Sequence, residues 1–171
     1  MRIGVYGIGN VLAHDDAVGP SVVRLVDAGW QFDGDVTVED LGTPAIELPA
    51  HLAGFDAVVL VDAVSATLPP GTLRIYDRGE ILKYSPGLRV SPHDQALRET
   101  LLMLDLTSES PRIVTLVGVV PEVTNMGIGM SPAVTAALPA AAEAVVAEVA
   151  KLGVAARRRS EARHVDLWWA A

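Results

Sequence analysis

Three side chains in this sequence stand where a cation could be gripped: Asp16, Asp62 and His93. Two carboxylates and one imidazole suit a borderline divalent ion such as nickel or zinc, and three protein ligands leave coordination positions open. An open site favours a transient ligand or catalysis over a structural metal. Each of the three also has a plainer explanation, and these differ in how much they account for.

Asp16 belongs to His14-Asp15-Asp16, just ahead of a helical pattern. One aspartate there can cap the helix through its side-chain oxygen. A cap needs one acid, however, and adjacent acids repel unless something offsets their charge. We assign Asp15 the structural role and Asp16 the functional one. His14 could join a metal site, but a single histidine beside a turn is usually just exposed. Asp62 directly follows the apolar run Ala57–Val61. Residues just past the carboxyl ends of parallel strands line the ligand crevice, and a carboxylate there binds a cation or takes up a proton. The plainer reading is a turn aspartate capping local amides. In Ser91-Pro92-His93-Asp94, helix-start chemistry explains Ser91, Pro92 and Asp94 but gives no reason for the imidazole. A helix N-terminus disfavours protonated histidine, which leaves His93 neutral and able to ligate. His51 and His164 lack such surroundings and read as surface residues. Gly7-Ile8-Gly9-Asn10 has the look of a dinucleotide loop, but Leu12 occupies the third glycine's place, so the glycines are read as permitting a sharp turn beneath a site.

The elements that must position these residues alternate between apolar runs and helical spacing. Strands are expected at Arg2–Tyr6, Asp35–Leu41, Ala57–Val61, Thr72–Asp77 and Arg112–Val120. Helices are expected at Val18–Ala28, Ala45–Leu52, Ser91 to about Leu106, and Ala133–Leu152, the last closed by Gly153. Such alternation implies crossovers: an α/β three-layer sandwich with a twisted, mainly parallel five-stranded sheet flanked by helices. One domain is expected over residues 1–153, with 154–171 a C-terminal tail or frayed helix. Arg157-Arg158-Arg159 reads as a solvated end, and Trp168-Trp169 as packing against either the body or a partner.

Composition narrows the classes. The 171 residues include 15 Gly and 11 Pro, are 50% hydrophobic and carry a formal net charge of -8. This is the profile of a globular chain, and the charge argues against nucleic-acid backbone binding. With no cysteine, disulfides, thiol catalysis and Cys-based metal sites are excluded. No signal peptide or bilayer-length apolar run is read, and a cytoplasmic protein without membrane attachment, monomeric, is expected.

At this point a resemblance enters. Gly7-Ile8-Gly9-Asn10 through Asp15-Asp16 and Gly19 resembles the opening motif of the hydrogenase maturation proteases. The similarity continues at Asp40-Leu41-Gly42-Thr43 with Glu47-Leu48, at Val61-Asp62-Ala63, at Ser91-Pro92-His93, and at Leu116-Val117-Gly118-Val119-Val120-Pro121-Glu122. The blocks keep the family's order over most of residues 3–150. The resemblance implies an endopeptidase that removes the C-terminal extension of a nickel–iron hydrogenase large-subunit precursor once nickel is inserted, cleaving after a basic residue. It implies that the family's nickel ligands match Asp16, Asp62 and His93, the first often Glu and here one methylene shorter. The nickel would arrive with the precursor. The acid linked with substrate selection matches Asp40, ahead of the Gly42-Thr43 pair. Two other readings compete: a nickel-sensing assembly chaperone that inspects the precursor without cutting it, and a small-molecule hydrolase or nucleotide binder that shares only the architecture. No serine sits in a nucleophile-elbow pattern.

Overall fold

Alternating side-chain direction along the strands sets the layering. In β4 (Ala57–Ala63) every residue is buried: Val59 and Val61 face one side, and Val58 and Leu60 the other. A strand covered on both faces must be central, and β4 lies in the middle of the sheet. The computed structural model describes residues 1–83 and 94–170. Its main sheet has the order β3-β1-β4-β6-β5, from β1 (Arg2–Ile8), β3 (Asp35–Gly42), β5 (Leu73–Asp77) and β6 (Ile113–Val119) around β4. The β1–β3, β1–β4 and β4–β6 pairs are parallel, and β5 runs antiparallel to β6. The five-stranded, mainly parallel sheet expected from the sequence is therefore the observed one.

Helices α1 (Val18–Gly29) and α5 (Pro132–Lys151) cover one face. Val22 and Val26 of α1 and Leu138, Ala141 and Val145 of α5 pack with Val5, Val59 and Val117. The opposite face carries α2 (Leu48–Leu52), α3 (Arg78–Lys83) and α4 (Asp94–Thr107). There Leu52, Leu101 and Leu104 meet Tyr6, Leu60 and Leu116. Burying one such leucine fully contributes about 2 kcal/mol, and two continuous clusters make the sheet rigid enough to hold the loops at its ends.

The sequence reading differs from the structure in several places, among them the short helix α3, which it did not expect. The 20-residue α5 is long and apolar enough, by composition alone, to cross a bilayer, although no such run was expected. Its Val134, Leu138, Val145 and Val149 are buried in the sheet-facing core. Next, the segment after Gly153 is no frayed helix. Ala156–Arg158 forms a strand, β7, antiparallel to β2 (Trp30–Phe32), which the sequence did not reveal. The arginine run is tied down rather than simply solvated: Arg157 pairs with Asp33, Arg158 with Glu143, and Arg159 Nε donates to the Asp27 carbonyl. Of the two placements the sequence leaves open for the tryptophan pair, the body is the one observed for Trp169, which is 1% exposed, while Trp168 is 52% exposed. The expected helix start at Ser91-Pro92-His93 lies outside the described residues.

Candidate functional site

Glycine lets α1 begin hard against the paired carboxyl ends of β1 and β4. A methyl group at Gly19, early in α1, would meet the carbonyl oxygens of Ile8 at 2.1 Å and Val61 at 2.5 Å. Only a residue without Cβ lets the helix start so close to both strand ends. Gly9 serves the same purpose in the loop that leaves β1: it has φ +149, and a Cβ there would lie 1.9 Å from the Asp16 carbonyl. The glycine pattern thus serves close approach of a helix to strand ends. It brings Asp16, three residues before Gly19, and Asp62, directly after Val61, to the same end of the sheet, and the 3-10 turn His14–Ala17 packs against β4.

Asp15 and Asp16 sit side by side in that turn, 0% and 5% exposed. Asp15 is no helix cap, since α1 has no side-chain cap. Its Oδ1 accepts from Ser131 N at 2.6 Å, and its Oδ2 from Glu122 N at 2.8 Å and Val123 N at 3.0 Å. Its structural role therefore stands in a different form, as a clamp on the loop between β6 and α5. Asp16 differs: Oδ2 accepts from Asn10 N at 2.8 Å, while Oδ1 is buried and has no hydrogen-bond partner among the described residues. A buried carboxylate oxygen left so costs several kcal/mol unless a cation or a proton meets it. Asp62 is 3% exposed and its Oδ1 accepts from Ala63 N at 2.7 Å, one of its interactions. Two buried carboxylates, one in the turn after β1 and one in β4, thus lie at the same end of the sheet, where their charge suits a cation. His93, the third residue of the expected set, lies outside the described residues, among which no cluster of three or more metal-binding side chains occurs.

His14 is neither exposed nor gathered with the acids. It has φ 47, and its Nδ1 hydrogen-bonds to the Gly129 carbonyl at 2.8 Å, so it serves as a brace for the same loop. His51 is half-buried, edge-on to Tyr6 at 6.3 Å between ring centres. The Tyr6 phenol is pushed up to about 12, first by burial and then by the negative charge of Glu39, and remains a neutral core group.

Asp40, at the end of β3, is joined to Asp16 by a short relay of hydrogen bonds. Its Oδ1 accepts from Gly42 N at 3.0 Å, the Gly42 carbonyl accepts from Gly9 N at 2.8 Å, and the next residue, Asn10, bonds Asp16. Asp40, Gly42 and Thr43 line one groove of about 260 Å³ together with Gly9, Asn10, Val11, Arg24, Trp168 and Trp169. Sequence reasoning missed Arg24, whose Nε and Nη2 both donate to Asp40 Oδ2, at 3.1 and 3.0 Å. A single arginine off the apolar stripe of α1 carries no mark of a partner sixteen residues away. The Trp pair did hint at packing, without saying where.

Comparison with known proteins identifies the family. The family described as hydrogenase maturation protease matches residues 20–148. The hydrogenase 2 maturation protease of Escherichia coli strain K12 is 38% identical over 168 residues, covering 96% of this chain and 99% of that one. The structure of the E. coli hydrogenase maturating endopeptidase HybD superposes with a TM-score of 0.84 at 36% identity, covering 94% of this chain and 99% of the other. The [NiFe] hydrogenase maturation protease HybD of Thermococcus kodakarensis gives a TM-score of 0.68 at 25% identity, covering 89% and 99%. With family, length and fold in agreement, this chain belongs to the hydrogenase maturation protease family.

Proposed function

We propose that this protein is the endopeptidase that removes the C-terminal extension of a nickel–iron hydrogenase large-subunit precursor after nickel insertion. The observation that carries the proposal is the pair of buried carboxylates, Asp16 in the turn before α1 and Asp62 in β4, the first with an oxygen unpartnered among the described residues. Such a pair is poorly suited to stay empty and well suited to receive a cation brought by another molecule. Asp16 and Asp62 take up nickel held by the precursor, and His93 supplies the third ligand. Docking of the ion fixes the scissile bond next to the carboxylates, and the metal, or a carboxylate acting as base, activates water. Asp40, Gly42 and Thr43, in the adjoining groove, select the peptide around the cleavage position.

The test is incubation of the purified protein with nickel-loaded and nickel-free precursor, read by the mass of the large subunit. Loss of a C-terminal peptide from the loaded form alone is expected. Asp16→Ala, Asp62→Ala and His93→Ala should each abolish that loss with the fold intact. Tight binding of loaded precursor without shortening would refute the protease reading in favour of an assembly chaperone, and full processing by the His93 variant would refute that residue's role.

A further inference from the structure

The groove beside Asp40 is walled by two distant segments of the chain. One wall is the glycine loop and the end of β3; the other is Trp168 and Trp169. Between them lies the Arg24–Asp40 ion pair, with the arginine side chain 39% and the aspartate 19% exposed. A pair this open is ordinarily loose and contributes little. Here the guanidinium is held by several partners. Its Nε and Nη2 both reach Asp40 Oδ2, its Nη1 donates to the Asp166 carbonyl at 3.2 Å, and its carbon lies 4.5 Å from the Trp169 ring centre. Trp169 is fixed in turn: its Nε1 donates to Ser21 Oγ at 2.9 Å and its carbonyl accepts from Gly129 N at 2.9 Å. The planar fork of arginine, laid on an aromatic face, holds a carboxylate in one orientation in a way a lysine could not.

We infer that Arg24 is a positioning residue for Asp40, and that Trp168 and Trp169 form a wall of the groove that the substrate touches. The inference rests on the reading above that the precursor enters this groove. The aimed carboxylate offers acceptor lone pairs to peptide N–H groups. Trp168, half exposed and set edge-on to Trp169 at 5.5 Å, offers an apolar face to a side chain. That combination fits an extended peptide segment of the precursor, with backbone polar groups on one side and an apolar side chain on the other.

The experiment compares Arg24→Met, Arg24→Lys and Trp168→Ala with the wild type. Affinity for nickel-loaded precursor is measured by calorimetry, KM and kcat by release of the C-terminal peptide, and folding by circular dichroism. Arg24→Met and Trp168→Ala should each weaken binding about tenfold, the range of an interface anchor, with the loss falling on KM more than on kcat. Arg24→Lys should recover some of it, because one donor returns without the planar fork. In an Asp40→Asn background, Arg24→Met should add less than about twofold, since a residue acting through Asp40 has nothing left to position. Trp168 is exposed, so its removal leaves folding intact. Unchanged affinity in folded Arg24→Met and Trp168→Ala would overturn the inference, and so would an Arg24 effect that persists in full without the Asp40 carboxylate. If the wild type binds precursor but never shortens it, the protease reading falls while the affinity comparison still decides this one. A wild type that binds no precursor overturns both.

Discussion

Asp15 and Asp16 are chemically identical neighbours in one buried turn, and their surroundings give them opposite tasks. Asp15 has both oxygens occupied by three backbone amides from residues 122, 123 and 131. Asp15→Ala strands those amides, and the expected loss is about 3–5 kcal/mol of stability, measured by urea unfolding. Asp16 has one oxygen matched by Asn10 N and one with no partner among the described residues. Asp16→Asn keeps an acceptor for that amide and removes a buried charge, so stability should hold or rise by about 1 kcal/mol while precursor processing is lost. A Tm for Asp16→Asn well below the wild type would mean that its carboxylate is structural after all. That Asp15 has a structural role was legible in the residues, because one acid of the pair suffices for a local backbone task. The form of Asp15's role was not, since its partners lie more than a hundred positions away and leave no local pattern.

At the scale of elements, the strands were the most legible feature. A run such as Ala57–Val61, apolar at every position, has few places to go except the centre of a parallel sheet. The short β2–β7 pair was invisible because three-residue strands have no measurable periodicity, and Arg157-Arg158-Arg159 reads as a charged end whichever conformation it takes. The Gly-x-Gly spacing was recognised, but only the structure shows that it serves helix-to-strand approach. Gly19 is the sharpest test. Gly19→Ala sets a methyl against two backbone carbonyls that cannot move independently of β1 and β4. It should destabilise by about 3 kcal/mol and lower processing beyond the loss of folded protein, because α1 must withdraw from the strand ends that carry the acids. Gly29→Ala, where a Cβ meets nothing within 4 Å, is the control and should be nearly silent.

At the scale of the whole molecule, residues 154–170 are bound into the body by β7, by the Arg157–Asp33 pair and by the buried Trp169 ring. Trp169→Ala should therefore lower stability by about 3–5 kcal/mol, as for other buried large aromatics, read by thermal or urea denaturation. The general form of this packing was within reach of the sequence, for two adjacent tryptophans seldom remain in water. Its destination, the Ser21 hydroxyl on α1, was not. The bond between those two residues joins positions 148 apart, and this distance bears on the order of assembly. Contacts of such long sequence separation are entropically late, so parallel pairing of β1, β4 and β6 must largely precede them. The sheet thus comes into being before the aromatic wall does, and folding ends by completing the groove beside Asp40.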